Sequence, residues 1–126
     1  MCGIAGVWHF KRHASADSLR ESALQMATAL THRGPDDEGI FLDPDVCLAL
    51  AHRRLSVIDL SAQGHQPMAS SCGRFTIVYN GEIYNTGELA SDLIRCGRRF
   101  RGHSDTEVLL EGCAEHGIEK FIQRVN

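Results

Sequence analysis

The sequence lacks the cysteine pairs that would indicate a disulfide framework or a zinc site. Its five cysteines lie at positions 2, 47, 72, 96 and 113, with no CxxC, whereas zinc ligands usually come in close pairs. The seven histidines include no HExxH motif, so we assign none of them to a metal or to catalysis. No GxxxxGK[ST] phosphate loop is present either. These absences argue against metalloenzyme and P-loop functions, and they leave cysteines 47, 72, 96 and 113 as expected small buried hydrophobes.

Long apolar runs and basic runs are also lacking. No stretch approaches the roughly 20 apolar residues that a membrane span needs, and the formal net charge is -3. The first ten residues, MCGIAGVWHF, lack the basic region of a signal peptide. The hydrophobic content of 43% and the length of 126 residues fit one soluble globular domain. We therefore expect a cytoplasmic protein that binds neither nucleic acid nor a membrane.

The first half of the chain predicts three strands and one helix. Strands are expected at residues 3–10, 39–42 and 46–52, the last two around a turn at Asp43–Pro44. Residues 17–32 predict a helix, because apolar side chains recur there every three or four residues. These side chains are Leu19, Ala23, Met26, Ala27 and Leu30.

The second half predicts a loop, a hairpin and helices. Residues 61–73 are small and polar, which is typical of a loop, and residues 74–84 are β-rich on both sides of Asn80–Gly81, the preferred pair for a tight hairpin turn. A helix is expected at about 86–96 with Leu89, Leu93 and Ile94 inward, and Gly97 would end it. Ser104 and Glu107 form a candidate capping box for a helix that stops near Gly117, and a short amphipathic segment follows. This order of elements predicts an α+β fold with a largely antiparallel sheet.

Cys2 differs from the other cysteines because of its position. A methionine followed by a small residue is normally removed, which would make Cys2 the first residue of the mature chain. Its α-amine, with a reference pKa of about 7.7–8.0, could then accept the thiol proton and return it to a leaving group. By itself this position is weak evidence, since most lone cysteines are buried hydrophobes.

Six motifs, taken together, carry a resemblance to a known family. The motifs are MCGIAG, HRGPDDEG, AHRRLSVIDL, GHQPM, YNGEIYN and HSDTEVLL. Their order and spacing closely resemble the glutaminase domain of the glutamine-hydrolysing asparagine synthetases, which are class II amidotransferases of the N-terminal-nucleophile hydrolase superfamily. The resemblance covers the whole chain. It implies a four-layer αββα sandwich, and it implies that the domain continues beyond residue 126 into a second sheet.

The resemblance implies a catalytic role for three residues. Cys2 would attack the side-chain amide of L-glutamine and form a γ-glutamyl thioester. The side-chain amide of Asn80 and the backbone N–H of Gly81 would form the oxyanion hole. The alternative for Asn80–Gly81 is the hairpin turn that this pair favours on physical grounds.

The resemblance also implies how the substrate is held. Arg54 would bind the α-carboxylate through its guanidinium, and Glu82 and Asp105 would receive the substrate ammonium. The alternatives are a solvated arginine, a hairpin glutamate, and for Asp105 a favourable charge at a helix N-terminus. The resemblance assigns the wall of the substrate site to the backbone of Leu55, Ser56, Val57 and Ile58.

Four residues near these motifs are expected to be structural. Arg33, Gly34 and Asp36 are expected to shape the loop beside the nucleophile, although contact with substrate is an alternative. Arg53 is expected to be a solvated surface arginine.

The implied reaction is hydrolysis of L-glutamine to L-glutamate and ammonia. The resemblance implies a following synthetase domain, absent from this chain, that would use ATP and Mg to amidate aspartate; the chain itself needs no cofactor. It also allows a homodimer. The alternatives are transfer of ammonia to another carboxylate, a non-catalytic fragment that binds glutamine or a protein partner, and a zinc domain built from scattered cysteines and histidines.

Overall fold

Antiparallel strands and helices make up the fold, which the computed structural model describes for residues 1–10, 13–56 and 62–126. The chain divides into two compact units, Met1–Val57 with His65–Pro67 and Val78–Asn80, and Ile58–Gly64 with Met68–Ile77 and Gly81–Asn126. The predicted α+β class is therefore confirmed. The elements are β1 (Gly3–Trp8), α1 (Ala16–Ala29), β2 (Asp37–Asp43), β3 (Leu48–Arg54), β4 (Met68–Ala69), β5 (Thr76–Ile77), α2 (Thr86–Arg95), α3 (Asp105–His116) and α4 (Ile118–Ile122).

The first unit contains a three-stranded antiparallel sheet in the order β1-β3-β2. Gly3 pairs with Arg53 in one ladder, and Asp37 pairs with Arg54 in the other. The predicted turn between β2 and β3 is confirmed and contains a short 3-10 helix at Pro44–Val46. These pairings place the start of β1 and the end of β3 beside each other.

One face of this sheet packs against α1. The helix begins at Ser15, whose side chain accepts a hydrogen bond from the Ser18 N–H at 3.2 Å; such a cap satisfies a donor that the helix leaves free. The predicted inward positions 19, 23 and 27 are buried, whereas Met26 is exposed. The apolar stripe of α1 is thus narrower than predicted. The residues of this core are Leu19, Ala23, Ala27, Cys47, Ala49 and Ala51.

The opposite face of the sheet carries larger side chains. Ile4 and Leu50 line a shallow apolar groove on this face together with Val78. Trp8 is exposed here, and its ring centroid lies 4.4 Å from that of Phe10. Both faces of the first sheet are therefore largely apolar.

The second unit consists of α2, α3, α4 and the β4–β5 pair. Leu89 and Leu93 are buried as predicted, but Ile94 is exposed. Gly97 ends α2 with φ of 86°, and its N–H bonds to the Ile94 carbonyl at 2.9 Å, as expected for a glycine that follows a helix. No helix among the described residues is long and apolar enough to cross a membrane.

The capping box predicted for α3 is half correct. The Ser104 hydroxyl accepts a hydrogen bond from the Glu107 N–H at 3.2 Å. The Glu107 carboxylate, however, does not reach back to Ser104. It accepts hydrogen bonds from the N–H groups of Arg101 and Gly102, both at 2.9 Å, and so holds the preceding loop.

The hairpin predicted at Asn80–Gly81 is wrong. The second strand of the hairpin is absent, and β5 pairs instead with β4 inside the segment predicted as a loop. Neither Asn80 nor Gly81 has the positive φ that a type I′ turn requires. In a hairpin, the backbone N–H groups of this segment would pair with the opposite strand. Here the Tyr79 N–H instead donates to the side chain of Gln66, within the first unit.

The prediction of four buried cysteines holds for two of them. Cys47 and Cys113 are buried, and burial raises the pKa of the Cys113 thiol. Cys72 and Cys96 are exposed. Cys72 lies in a tight turn closed by a hydrogen bond from Gly73 to Ser70, and Cys96 caps the end of α2, so neither faces a core.

Candidate functional site

The pairing of β1 with β3 fixes the position of Cys2. Because Gly3 pairs with Arg53, Cys2 lies beside the end of β3, where Leu55 follows. The Leu55 N–H donates to the Cys2 sulfur across 3.4 Å, and the side chain is half-buried. The sheet thus holds a thiol at its edge, partly accessible and in contact with a backbone donor.

The loop between α1 and β2 holds the backbone on both sides of this thiol. Arg33 donates from Nε to the carbonyl oxygen of Cys2 at 3.1 Å. The Asp36 carboxylate accepts a hydrogen bond from the Ser56 N–H at 2.7 Å. The structural role predicted for this loop is confirmed by these two contacts.

Gly34 is required by the close approach of this loop to β3. A Cβ atom at Gly34 would lie 2.4 Å from the carbonyl carbon and oxygen of Arg53 and 2.6 Å from the Arg54 nitrogen. All three are backbone atoms that cannot rotate away, so only glycine fits without a shift.

Arg53 is not the solvated arginine that the sequence predicted. Its side chain is only 12% exposed and pairs with Glu38 at 2.6 Å. Its Nε donates to the Gly34 carbonyl at 2.9 Å. The reason is the register: Glu38 lies directly opposite Arg53 across the β2–β3 ladder, where opposite charges attract.

Arg54 is buried at the last position of β3. It is 8% exposed, which excludes the alternative of a solvated surface arginine. A buried guanidinium retains its charge and needs polar partners. Burial lowers the pKa of the His52 imidazole, and the positive charge of Arg54 adds to this lowering.

Asn80 is the last residue of the predicted site that belongs to the first unit, and it is exposed. The residue before it, Tyr79, interacts with two buried side chains that the sequence did not indicate. The Tyr79 N–H donates to Gln66 Oε1 at 2.6 Å. Burial lowers the pKa of His52, and a hydrogen bond with the Tyr79 backbone opposes this shift. Gln66 belongs to the motif GHQPM and His52 to the motif AHRRLSVIDL. Membership in these motifs was the only sequence feature that pointed to either residue.

The second unit contains Gly81, Glu82 and Asp105. Asp105 is the first residue of α3, and its Oδ1 accepts a hydrogen bond from the Thr106 N–H at 2.7 Å. Its Oδ2 accepts from the Ile83 N–H at 3.1 Å, which brings the residue after Glu82 against Asp105. The helix-terminus role of Asp105 is confirmed. Glu82 is exposed, as the alternative of an exposed hairpin residue requires, but the hairpin itself is absent.

Four further positions were predicted to wall the substrate site. Leu55 and Ser56 are half-buried and follow β3 without regular structure. Val57 and Ile58 lie outside the described residues. Among the residues that the structure does describe, no group of three or more histidine, cysteine or acidic side chains could hold a metal ion.

Comparisons with known proteins identify the family. The sequence model of the family described as "Glutamine amidotransferase domain" matches residues 1–126 of this chain. The chain is 39% identical over 132 residues to glutamine-hydrolysing asparagine synthetase 3 of Bacillus subtilis (strain 168), covering 96% of this chain and 21% of that protein. It is 40% identical over 126 residues to the glutamine-hydrolysing asparagine synthetase of Sandersonia aurantiaca, covering 100% and 22%.

A bacterial asparagine synthetase gives a similar match. Asparagine synthetase B (glutamine-hydrolysing) of Escherichia coli (strain K12) is 39% identical over 121 residues, covering 94% of this chain and 20% of that protein. The chain thus spans about a fifth of the length of the curated relatives it matches. With the family match over residues 1–126, these similarities establish that the chain belongs to the glutamine amidotransferase domain family.

Proposed function

We propose that this chain hydrolyses L-glutamine to L-glutamate and ammonia, with Cys2 as the nucleophile. The observation that carries the proposal is the contact between Cys2 and the end of β3, in a chain that matches the amidotransferase family along its whole length. Three backbone or side-chain groups, from Arg33, Leu55 and Asp36, fix the surroundings of the thiol. A nucleophile held in this way loses little entropy when it meets its substrate.

The reaction proceeds in two steps. The Cys2 sulfur attacks the side-chain carbonyl carbon of glutamine, and the thiol proton passes to the α-amine of Cys2, which requires that Met1 has been removed. The amine returns this proton to the departing nitrogen, so ammonia leaves and a γ-glutamyl thioester remains. Water then cleaves the thioester to glutamate and restores the thiol.

Oxyanion stabilisation falls to Asn80 and Gly81. The Asn80 side-chain amide and the Gly81 N–H would donate to the oxygen that becomes negative in the tetrahedral intermediate. The absence of a hairpin turn supports this role, because a type I′ turn would commit both residues to closing a loop.

Recognition of the amino-acid end of glutamine falls to three charged side chains. Arg54 would bind the α-carboxylate, and its burial makes it a strong anion ligand. Glu82 and Asp105 would bind the ammonium. Asp105 accepts two backbone N–H bonds but keeps further lone pairs for a cation. The backbone from Leu55 to Ile58 would form the adjoining wall.

The names of the relatives support a proposal for the fate of the ammonia. Each relative named above is a glutamine-hydrolysing asparagine synthetase. We therefore propose that the ammonia amidates aspartate in a synthetase domain that requires ATP and Mg, while this chain supplies only the glutaminase chemistry.

Covalent labelling tests the proposal. The purified protein, with removal of Met1 verified by intact mass, is treated with 6-diazo-5-oxo-L-norleucine, a glutamine-directed electrophile, and the adduct is located by peptide mass spectrometry. We expect one adduct, on Cys2, and loss of glutamate production in Cys2→Ala. Cys96→Ala, which removes an exposed thiol, is the matched control and should keep full activity. Labelling at another residue, or an active Cys2→Ala, would contradict the mechanism, and glutamine binding without hydrolysis would favour the non-catalytic alternative.

A further inference from the structure

The backbone just before Asn80 is anchored by a buried amide. Gln66 is 6% exposed, and its Oε1 accepts the Tyr79 N–H at 2.6 Å. Asn80 itself is exposed, so packing around its own side chain contributes little to its position. The direction in which its side chain leaves the backbone therefore depends on how Tyr79 is held.

Gln66 is held in turn by β2. A Cβ atom at Gly39 would lie 2.0 Å from the Gln66 carbonyl oxygen and 2.8 Å from Nε2 of His65. The segment 65–67 thus lies directly on the strand, in space that only a glycine leaves open. His65 adds a contact to the Asp37 carboxylate at 2.7 Å, which fixes the segment at a second point of β2.

A second buried side chain reaches Tyr79 from β3. His52 is 1% exposed and pairs with Gly39 in the β2–β3 ladder. Burial lowers the pKa of its imidazole, and a hydrogen bond with the Tyr79 backbone opposes this shift. The position of Tyr79 itself, immediately before the predicted oxyanion residue, is fixed by the contact with Gln66.

We propose that Gln66 is a positioning residue for the oxyanion hole: by accepting the Tyr79 N–H, it sets the position of the Asn80 amide. This inference rests on the proposed role of Asn80 in glutamine hydrolysis. Oxyanion donors act through preorganisation, and loss of one such donor typically costs about a hundred- to a thousandfold in rate. A displacement of about 1 Å can cost about a hundredfold.

The test replaces the anchoring amide while keeping its size. Gln66→Met removes the acceptor, and Gln25→Met, at an exposed position of α1, is the matched control. We expect Gln66→Met to lower kcat about 10- to 100-fold, with KM for glutamine within about twofold, because the groups that bind the amino-acid end are untouched. Gln66→Glu keeps an acceptor oxygen at the same distance along the side chain and should retain more of kcat than Gln66→Met.

A second readout separates positioning from loss of structure. Alkylation of Cys2 by iodoacetamide forms no oxyanion, so its rate should be the same in the wild type, Gln66→Met and Gln25→Met. A kcat for Gln66→Met equal to that of Gln25→Met would overturn the inference. So would a loss of kcat accompanied by an equal change in the alkylation rate. An inactive wild type would refute the proposed function and this inference with it, whereas an active wild type with an unaffected Gln66→Met refutes the inference alone.

Discussion

Replacing Gly34 with alanine tests whether the loop before β2 must touch the end of β3. The new methyl group would lie 2.4 Å from two backbone atoms of Arg53, whereas ordinary contacts begin at 3.4 Å, so the loop would have to move by about 1 Å. Atoms cannot remain 2.4 Å apart, so the backbone must shift, and overpacking relieved by such shifts typically costs about 1–3 kcal/mol. The shift would break hydrogen bonds of the loop.

Two of those hydrogen bonds surround the nucleophile. A shift of this size would stretch the contact from Arg33 to the Cys2 carbonyl, now 3.1 Å, and the contact between Asp36 and Ser56, now 2.7 Å, beyond hydrogen-bond range. Each bond contributes about 0.5–1.5 kcal/mol net. The lost bonds are part of the cost of this shift rather than an addition to it, so we expect Gly34→Ala to lower the free energy of unfolding by about 1–3 kcal/mol.

Urea unfolding followed by the fluorescence of Trp8, which lies in β1 of the same unit, measures this change. Gly87→Ala is the matched control because a Cβ there meets nothing within 4 Å and the residue lies in the first turn of α2. Both variants restrict the unfolded chain equally, so their difference isolates the clash. Gly87→Ala should be neutral or stabilising by up to about 1 kcal/mol. A difference of less than about 0.5 kcal/mol between the two variants would show that the loop accommodates a Cβ atom at position 34.

Two further predictions concern buried titratable groups. Because burial lowers the pKa of His52 in the folded state, the unfolded chain binds a proton first as the pH falls below about 6.5, and stability falls with a slope of at most about 1.4 kcal/mol per pH unit from this group. Urea unfolding at pH 7.5 and 5.5 should give a smaller pH dependence for His52→Gln than for the exposed control His9→Gln, and equal dependences would contradict it. Glu107→Gln places an amide N–H₂ against one of two loop N–H groups that the buried carboxylate now accepts. Thermal unfolding should report a loss of about 1–3 kcal/mol, absent from the exposed Glu88→Gln; no loss would mean that the loop is held by other contacts.

Features that depend on neighbours in sequence were predictable. The end of α2 at Gly97 and the start of α3 at Ser104 follow from local backbone chemistry, and both are confirmed. The helix of the first half was also predictable from local sequence, because a periodic apolar pattern reports which side of a helix is buried.

Features that depend on a distant partner were not predictable from local patterns. The pair Asn80–Gly81 favours a hairpin by itself, but the N–H groups on either side are accepted by Gln66 and Asp105, 13 and 22 residues away from their donors. Such partners are decided by the tertiary fold, which overrides a local turn preference.

The adjacent arginines of β3 illustrate the same limit. Arg53 and Arg54 point to opposite sides of the strand, and the sequence alone did not identify the partner on either side. The register that places Glu38 opposite Arg53 supplied that information. The predicted roles of Arg54, Glu82 and Asp105 in holding glutamine stay predictions.

The side chains on the two faces of the first sheet differ in size. This difference disfavours an incorrect strand register. Most sheets specify register by alternating polar and apolar residues, but both faces of this one are largely apolar. A slip of one residue in β1 would turn Ile4 and Trp8 towards α1, where alanines leave no room for them. The size of the side chains, rather than their polarity, therefore maintains the register that places Cys2 beside Leu55. Replacing an alanine that packs against α1 with a larger residue would therefore disturb the position of Cys2, although no residue of the site is changed.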